Sequence, residues 1–189
     1  MISSHLFEAY LECSTKCWLR AQSEPSTGNV YAEWAVRKNE SYRKEWLERR
    51  LAIVAETDRI LSPTSETDRK EATSRFAVDM RVQADDLECR IPAVERIRSE
   101  GRGRRFQFIP YRFEFSNKLS KQHKLMVAFD AVVLSEAIGR DIRLGKIIHG
   151  DRFATLNVKT SSLIIEVRTR IKSCAALAAN TSPPDLVLN

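Results

Sequence analysis

The spacing of hydrophobic residues changes near residue 76 and divides the chain into two parts. Before residue 76, apolar side chains recur three or four positions apart, with Lys, Arg and Glu between them. This spacing is typical of amphipathic helices. It predicts helices over residues 4–20 and 30–55 and a short helix over 65–75.

After residue 76, β-branched and apolar residues alternate with polar ones, which is typical of strands. The segment 119–138 is apolar almost all round, which predicts a buried helix, and Gly139 suits its carboxyl end. The predicted elements in this part are strands over 76–83, 87–98 and 106–115, the helix over 119–138, strands over 142–149 and 153–159, and a helix over 163–179.

The composition fits one globular domain. The chain has 189 residues, of which 43% are hydrophobic and 30% charged, and both fractions are ordinary for a folded domain. We expect one domain over 1–189, with helices over 1–62 and the sheet core over 63–189. No run approaches 18 apolar residues and no secretory signal is recognisable, so we expect a cytoplasmic protein without a membrane partner.

The positive charge is concentrated in one stretch of the chain. The net charge is +6, and residues 96–126 hold nine Lys and Arg against two Asp and Glu. Arginine offers a planar fork that suits phosphate, so the sequence predicts nucleic-acid contact here. The alternative is a solvated turn that keeps the chain soluble. The candidate nucleic-acid-binding residues are Arg96, Arg98, Arg102, Arg104, Arg105, Lys118 and Lys121.

Common catalytic and phosphate-binding motifs are missing from the sequence. It has no G-x-G-x-x-G, no phosphate-binding loop, no H-E-x-x-H and no G-x-S-x-G. Each of the three histidines stands alone. His149, at a predicted strand end, is the most site-like, but the favoured interpretation is a surface histidine or one with its hydrogen bonds satisfied in a strand.

The first predicted helix carries an ordered series of positions: Tyr10, Leu11, Cys13, Ser14, Lys16, Trp18 and Leu19. This series resembles the amino-terminal signature of RecB-like nucleases: an aromatic residue, Leu, Cys-Pro, a basic residue, an aromatic residue and Leu. Ser14 stands in place of the proline. The β-β-β-α-β order is also similar to that of the PD-(D/E)XK superfamily. The resemblance covers nearly the whole chain and implies a restriction-endonuclease-like α/β core, a mixed sheet flanked by helices, akin to the CRISPR-associated RecB-like exonuclease.

The resemblance implies metal-dependent hydrolysis of DNA. In the family, an Asp on the second core strand and an acid-x-Lys series on the third hold Mg²⁺ or Mn²⁺ and orient water. In the most natural register, Pro92 stands at the Asp position. Pro110, Tyr111 and Arg112 stand at the acid-x-Lys series. Both metal-binding acids are then missing, and Arg112 replaces the lysine.

A shifted register offers other acids for the same chemistry. Asp86 or Glu88 could point at the same centre, and Glu114 could replace the third-strand acid. Glu40 on the second helix could supply a further ligand. In this reading the catalytic residues are Glu88, Glu114 and Arg112, and the metal ligands are Glu40, Asp86 and Glu88. In the alternative reading, Glu88 and Glu114 are solvated strand residues and Asp86 lies in a turn.

The exonuclease branch of the family also binds an iron–sulfur cluster, through one amino-terminal cysteine and three near the carboxyl end. Cys13 matches the first position, and the other three are absent before Asn189. The resemblance therefore implies a truncated or split member that holds a [4Fe-4S] cluster only if those cysteines are supplied. Cys17, Cys89 and Cys174 are scattered, as small core residues are; the alternative is that all four thiols converge on one metal.

The resemblance thus implies a RecB-like nuclease-fold domain in DNA processing, with DNA and a helicase/nuclease or CRISPR-type protein as partners. If active, it would be a Mg²⁺-dependent deoxyribonuclease. The alternative is a non-catalytic DNA-binding or adaptor domain, a fragment of a larger nuclease–helicase protein.

Overall fold

The computed structural model describes residues 1–23, 29–63, 74–98 and 106–184. In these ranges the chain forms a seven-stranded mixed sheet flanked by helices, which confirms the predicted α/β fold class. The strands are β1 (Ile2–Ser3), β2 (Arg59–Leu61), β3 (Phe76–Ala84), β4 (Leu87–Arg98), β5 (Phe106–Glu114), β6 (Gly145–His149) and β7 (Ala154–Val158). The α-helices are α1 (Ser4–Glu12), α2 (Ser14–Ala21), α3 (Val30–Leu51), α4 (Lys121–Ile138) and α5 (Ile164–Ala179), with 3-10 turns at Glu56–Asp58 and Thr160–Ser162.

The sheet is built around an antiparallel meander of β3, β4 and β5. Helix α4 then crosses over and returns the chain to β6, which pairs parallel to β5. Strand β7 lies antiparallel to β6, while β2 and β1 pair parallel with β3 and β4. The meander, helix and parallel strand follow the order expected of a restriction-endonuclease-like core.

Two hydrophobic clusters lie on the two faces of this sheet. On one face, α1, α4 and α5 pack together, and residues 125–134 of α4 are all buried. On the other face, α3 places Trp46 against the rings of Tyr111 and Phe113, at centroid distances of 5.4 and 5.2 Å. Because neighbouring side chains of β5 point to opposite faces, Arg112 faces α4 while Tyr111 faces α3.

The structure corrects several predicted boundaries. The first predicted helix is two helices, because Cys13 is extended (φ −162°, ψ 132°) and its N–H closes α1 on the carbonyl of Ala9. Helix α3 ends at Leu51, four residues before its predicted end. The short strands β1 and β2 were not predicted, and they bring the amino-terminal part of the chain into the sheet. The short helix predicted over 65–75 lies mostly outside the described residues.

No described helix has both the length and the apolar composition needed to cross a membrane.

Candidate functional site

The catalytic register that the resemblance implies would fall at the centre of β4 and β5, where the structure has two prolines. Pro110 is buried within β5 and lies opposite Val94, and Pro92 is half-buried within β4. Neither has an N–H to donate to the sheet or a side-chain oxygen to bind a metal. The two positions that the resemblance assigns to metal-binding acids therefore hold no ligand.

Asp79 breaks the regular alternation of β3 beside Pro92. Its backbone is left-handed (φ 54°), and the register pairs Val78 with Ala93 and Met80 with Ile91 but leaves Asp79 and Pro92 unpaired. Val78 belongs to the cluster under α3 and Met80 to the cluster under α4, although they are two residues apart. As a result, the odd-numbered residues Leu87, Cys89 and Ile91 face α4 in the first half of β4. In the second half the even-numbered Val94 faces it instead.

Arg112 is held by an acid from α4. Asp130 is fully buried, and its two oxygens accept hydrogen bonds from Nε and Nη2 of Arg112 at 2.6 and 2.7 Å. Burial raises the pKa of Asp130, and the guanidinium opposes that shift. Burial acts to lower the pKa of Arg112, but the adjacent carboxylate outweighs it and the pKa is raised. Asp130 therefore balances the positive charge of Arg112, which stands at the lysine position that the resemblance implies, and holds its guanidinium in place.

Glu114 lies on the same face as Arg112, at the end of β5. Its carboxylate accepts the N–H of Ser116 at 3.1 Å and lies 3.4 Å from Nε2 of His123, in the first turn of α4. Burial acts to raise the pKa of Glu114, but the hydrogen bonds from His123 and Ser116 outweigh it and the pKa is lowered. These contacts keep the carboxylate ionised.

Glu88 points away from Glu114. Leu87, Cys89 and Ile91 of β4 pack in the cluster under α4, so the alternation of the strand directs Glu88 to the other face. There it lines a cleft of about 500 Å³ with Ser3, His5, Arg81 and Arg90, among others. The structure therefore does not bring the two proposed catalytic acids together.

The other proposed metal ligands also lie apart. Glu40 is exposed on α3 and lines a groove between α3 and β3. Asp86 is exposed in the turn between β3 and β4, where its carbonyl accepts the N–H of Ile2 at 2.6 Å. Among the described residues, no three His, Cys, Asp or Glu side chains lie close enough to hold a metal ion. The proposed ligands Glu40, Asp86 and Glu88 do not fit a Mg²⁺ site.

The cysteines occupy three separate environments. Cys13 is exposed between α1 and α2, and a hydrogen bond from the Lys16 N–H lowers its pKa. Cys17 and Cys174 are buried with their sulfurs 3.7 Å apart, and the hydrogen bond between them, together with burial, raises the pKa of Cys174. Cys89 lies in the core under α4. Within the described ranges the thiols do not converge on one site, so they do not form a cluster site by themselves.

The structure contains a buried polar network that the sequence reasoning missed. Glu95 of β4 is 4% exposed and accepts hydrogen bonds from the Tyr111 hydroxyl at 2.5 Å and from Arg50 of α3 at 2.8 Å. Lys146 of β6 donates to the Tyr111 hydroxyl at 2.8 Å and lies 3.4 Å from Glu95. Burial acts to raise the pKa of Glu95, but Tyr111 and the two cations outweigh it and the pKa is lowered. A signal was present, because Glu95 stands at an inward position of an apolar strand.

The candidate nucleic-acid-binding residues are only partly described. Arg102, Arg104 and Arg105 lie outside the described residues, as does the side chain of Arg98. Arg96 places its guanidinium over the ring of Phe106, 4.3 Å from the centroid. Lys118 is exposed between β5 and α4, whereas Lys121 forms an ion pair of 2.8 Å with Glu166.

Comparison with known proteins gives matches to solved structures but no family. No protein-family model matches the chain, and no curated protein matches it. The chain is similar to the protein in the crystal structure of SSO0001, with 14% sequence identity and a TM-score of 0.35. That likeness covers 76% of this chain and 87% of SSO0001.

Proposed function

We propose that this chain is a DNA-binding domain with a RecB-like nuclease fold, and that it does not hydrolyse DNA. The observation that argues against hydrolysis is the Arg112–Asp130 ion pair, at the position that the resemblance assigns to the catalytic lysine. The observation that supports DNA binding is the basic stretch over residues 96–126.

The ion pair and its neighbours are poorly suited to metal-dependent hydrolysis. Both oxygens of Asp130 already accept hydrogen bonds from Arg112, so coordination of a metal would leave the half-buried guanidinium of Arg112 without its partner. Pro92 and Pro110 supply no side-chain oxygen in place of the missing acids. A Mg²⁺ site depends on carboxylate ligands, and this register has none free.

The distribution of charge supports DNA binding. Residues 96–126, with a net charge of +7, link β4, β5 and the start of α4. Lys118 is exposed in the connection that enters α4. Basic side chains that neutralise phosphates supply most of the affinity of sequence-independent DNA binding.

A salt titration of duplex DNA binding tests this proposal. Replacing Arg102, Arg104 and Arg105 with Ala should weaken binding and flatten the log–log salt dependence by about 0.9 for each phosphate that the variant no longer neutralises. The matched control replaces three exposed arginines elsewhere, Arg140, Arg143 and Arg168, and should leave the slope near that of the parent. Equal slopes for parent, variant and control would show that this stretch is only a solvated turn.

A cleavage assay tests the second half of the proposal. Single- and double-stranded DNA incubated with the protein and Mg²⁺ or Mn²⁺ should stay intact. Metal-dependent cleavage that disappears in Glu88→Ala or Glu114→Ala would overturn the proposal and establish an active nuclease with the shifted set of acids.

A further inference from the structure

The amino-terminal end of α3 exposes an unusual amount of apolar surface. Val30 is 77% exposed, Tyr31 71% and Trp34 45%. Exposed large apolar side chains that lie next to one another often mark a binding surface.

Two aromatic contacts fix the arrangement of the rings. The centroids of Tyr31 and Trp34 are 5.7 Å apart with a tilt of 31°, and Trp34 meets the half-buried ring of Phe115 edge-on, also at 5.7 Å. We call Tyr31, Trp34 and Phe115 the aromatic platform. Phe115 follows directly on β5, so the platform joins the end of α3 to the end of the sheet.

Hydrogen bonds hold both sides of the platform in place. The side chain of Asn29 caps α3 by accepting the N–H groups of Tyr31 and Ala32 at 3.0 and 3.1 Å. Asn39 donates to the carbonyl of Phe113 and accepts the N–H of Phe115, both at 3.0 Å. The rings are therefore presented by an ordered helix end that is tied to the sheet, which lowers the entropy cost of binding a ligand.

Exposed lysines stand close to the platform residues along the chain. Lys38 is one helical turn beyond Trp34 and therefore on the same side of α3, and it is exposed. Lys118 is exposed three residues after Phe115. Arg37 is also exposed but lies 3.7 Å from Glu33. Aromatic rings flanked by cations are the features with which proteins bind single-stranded nucleic acid, because each base stacks on a ring while the phosphates meet the cations.

We propose that the aromatic platform binds unpaired bases of single-stranded DNA, with Lys38 and Lys118 contacting the phosphates. This inference rests on the proposed function, for which it names the substrate class and a second contact surface. The neighbouring lysines favour a polyanion over an apolar protein segment as the occupant of this surface.

Binding of a labelled oligo-dT strand tests the inference. Trp34→Ala should weaken the affinity about 5- to 150-fold, because it removes a stacking surface. It should leave the salt dependence unchanged, whereas Lys118→Ala should lower the log–log slope by about 0.7. Trp34→Phe keeps a ring and should retain most of the affinity. Ile165→Ala, at an apolar side chain of α5 that is 84% exposed, is the matched control and should bind like the parent.

The outcomes separate this inference from the proposed function. If the parent binds oligo-dT and Trp34→Ala binds it equally well, the platform is not a base-stacking site, while the proposed DNA binding stands. If the parent binds neither oligo-dT nor duplex DNA, the proposed function fails and this inference fails with it. If gel filtration shows self-association that Trp34→Ala abolishes while oligo-dT affinity is unchanged, the surface is a protein interface and the inference is overturned.

Discussion

Asp130 depends on Arg112 for its ionised form, because Asp130 has no contact with solvent and Arg112 is its ion-pair partner. Asp130→Asn should lower the free energy of unfolding by about 3 kcal/mol, since it leaves the half-buried guanidinium of Arg112 without its counter-charge. Urea unfolding monitored by circular dichroism measures this change.

Two variants check that the loss comes from the unpaired charge of Arg112. The double variant Arg112→Met, Asp130→Leu removes both charges and should cost far less than Asp130→Asn alone. Glu136→Gln breaks an ion pair with the exposed Arg168 and should cost no more than about 1 kcal/mol. An Asp130→Asn loss as small as that of Glu136→Gln would contradict the role assigned to the pair.

Glu95 should make the stability of the fold depend on pH. Its pKa in the folded protein is lowered, so its stabilising contribution is present above the pKa of the unfolded chain and is lost as the pH falls through the lower folded value. Glu114 contributes with the same sign. The free energy of unfolding, measured by urea titration at several pH values below about 5, should fall for the parent. It should fall less steeply for Glu95→Gln; the same steepness in both proteins would refute this assignment.

Individual side chains were the least predictable part of the molecule from its sequence. Asp130 stands out as an acid within an apolar helix, but its partner depends on how α4 crosses β5. The sequence also could not predict which face of the sheet Glu88 lies on, because the left-handed Asp79 reverses the alternation of side chains near Pro92. A regular period of two would have put Glu88 and Glu114 on one face.

At the level of elements, the sequence predicted most helices and strands to within a few residues. Helix α4 was predictable because its apolar positions surround it, and β3, β4 and β5 because their alternation is long. The break at Cys13 was missed because the apolar spacing continues across it. Strands β1 and β2 have two and three residues, which is too short for any periodicity to register.

The close approach of α4 to β6 depends on Gly145. A Cβ at this position would overlap the Cγ1 of Val127, so Gly145→Ala should destabilise the fold by about 1–3 kcal/mol through overpacking. Urea unfolding of Gly145→Ala, Val127→Ala and the double variant forms a mutant cycle. The double variant should be more stable than the sum of the two single losses predicts, because Val127→Ala removes the overlapping atom. Strict additivity would argue against this contact.

At the level of the whole molecule, the order of the elements predicted the fold class. An antiparallel meander followed by a helix and a parallel strand leaves few topologies, because such crossovers are almost always right-handed. The sequence could not predict which acids meet, because that depends on contacts between strands and helices far apart in the chain. In the resulting molecule, Pro92 and Pro110 lie within adjacent strands of the sheet, and Arg112 is paired with the buried Asp130.

The fluorescence anisotropy of an end-labelled DNA strand, followed over time after adding Mg²⁺ or Mn²⁺, reads binding and cutting together. The proposed function predicts that the anisotropy rises when the protein is added and then stays constant in the presence of metal. A rise followed by a fall to the value of a short labelled fragment would contradict it, and so would the absence of any rise.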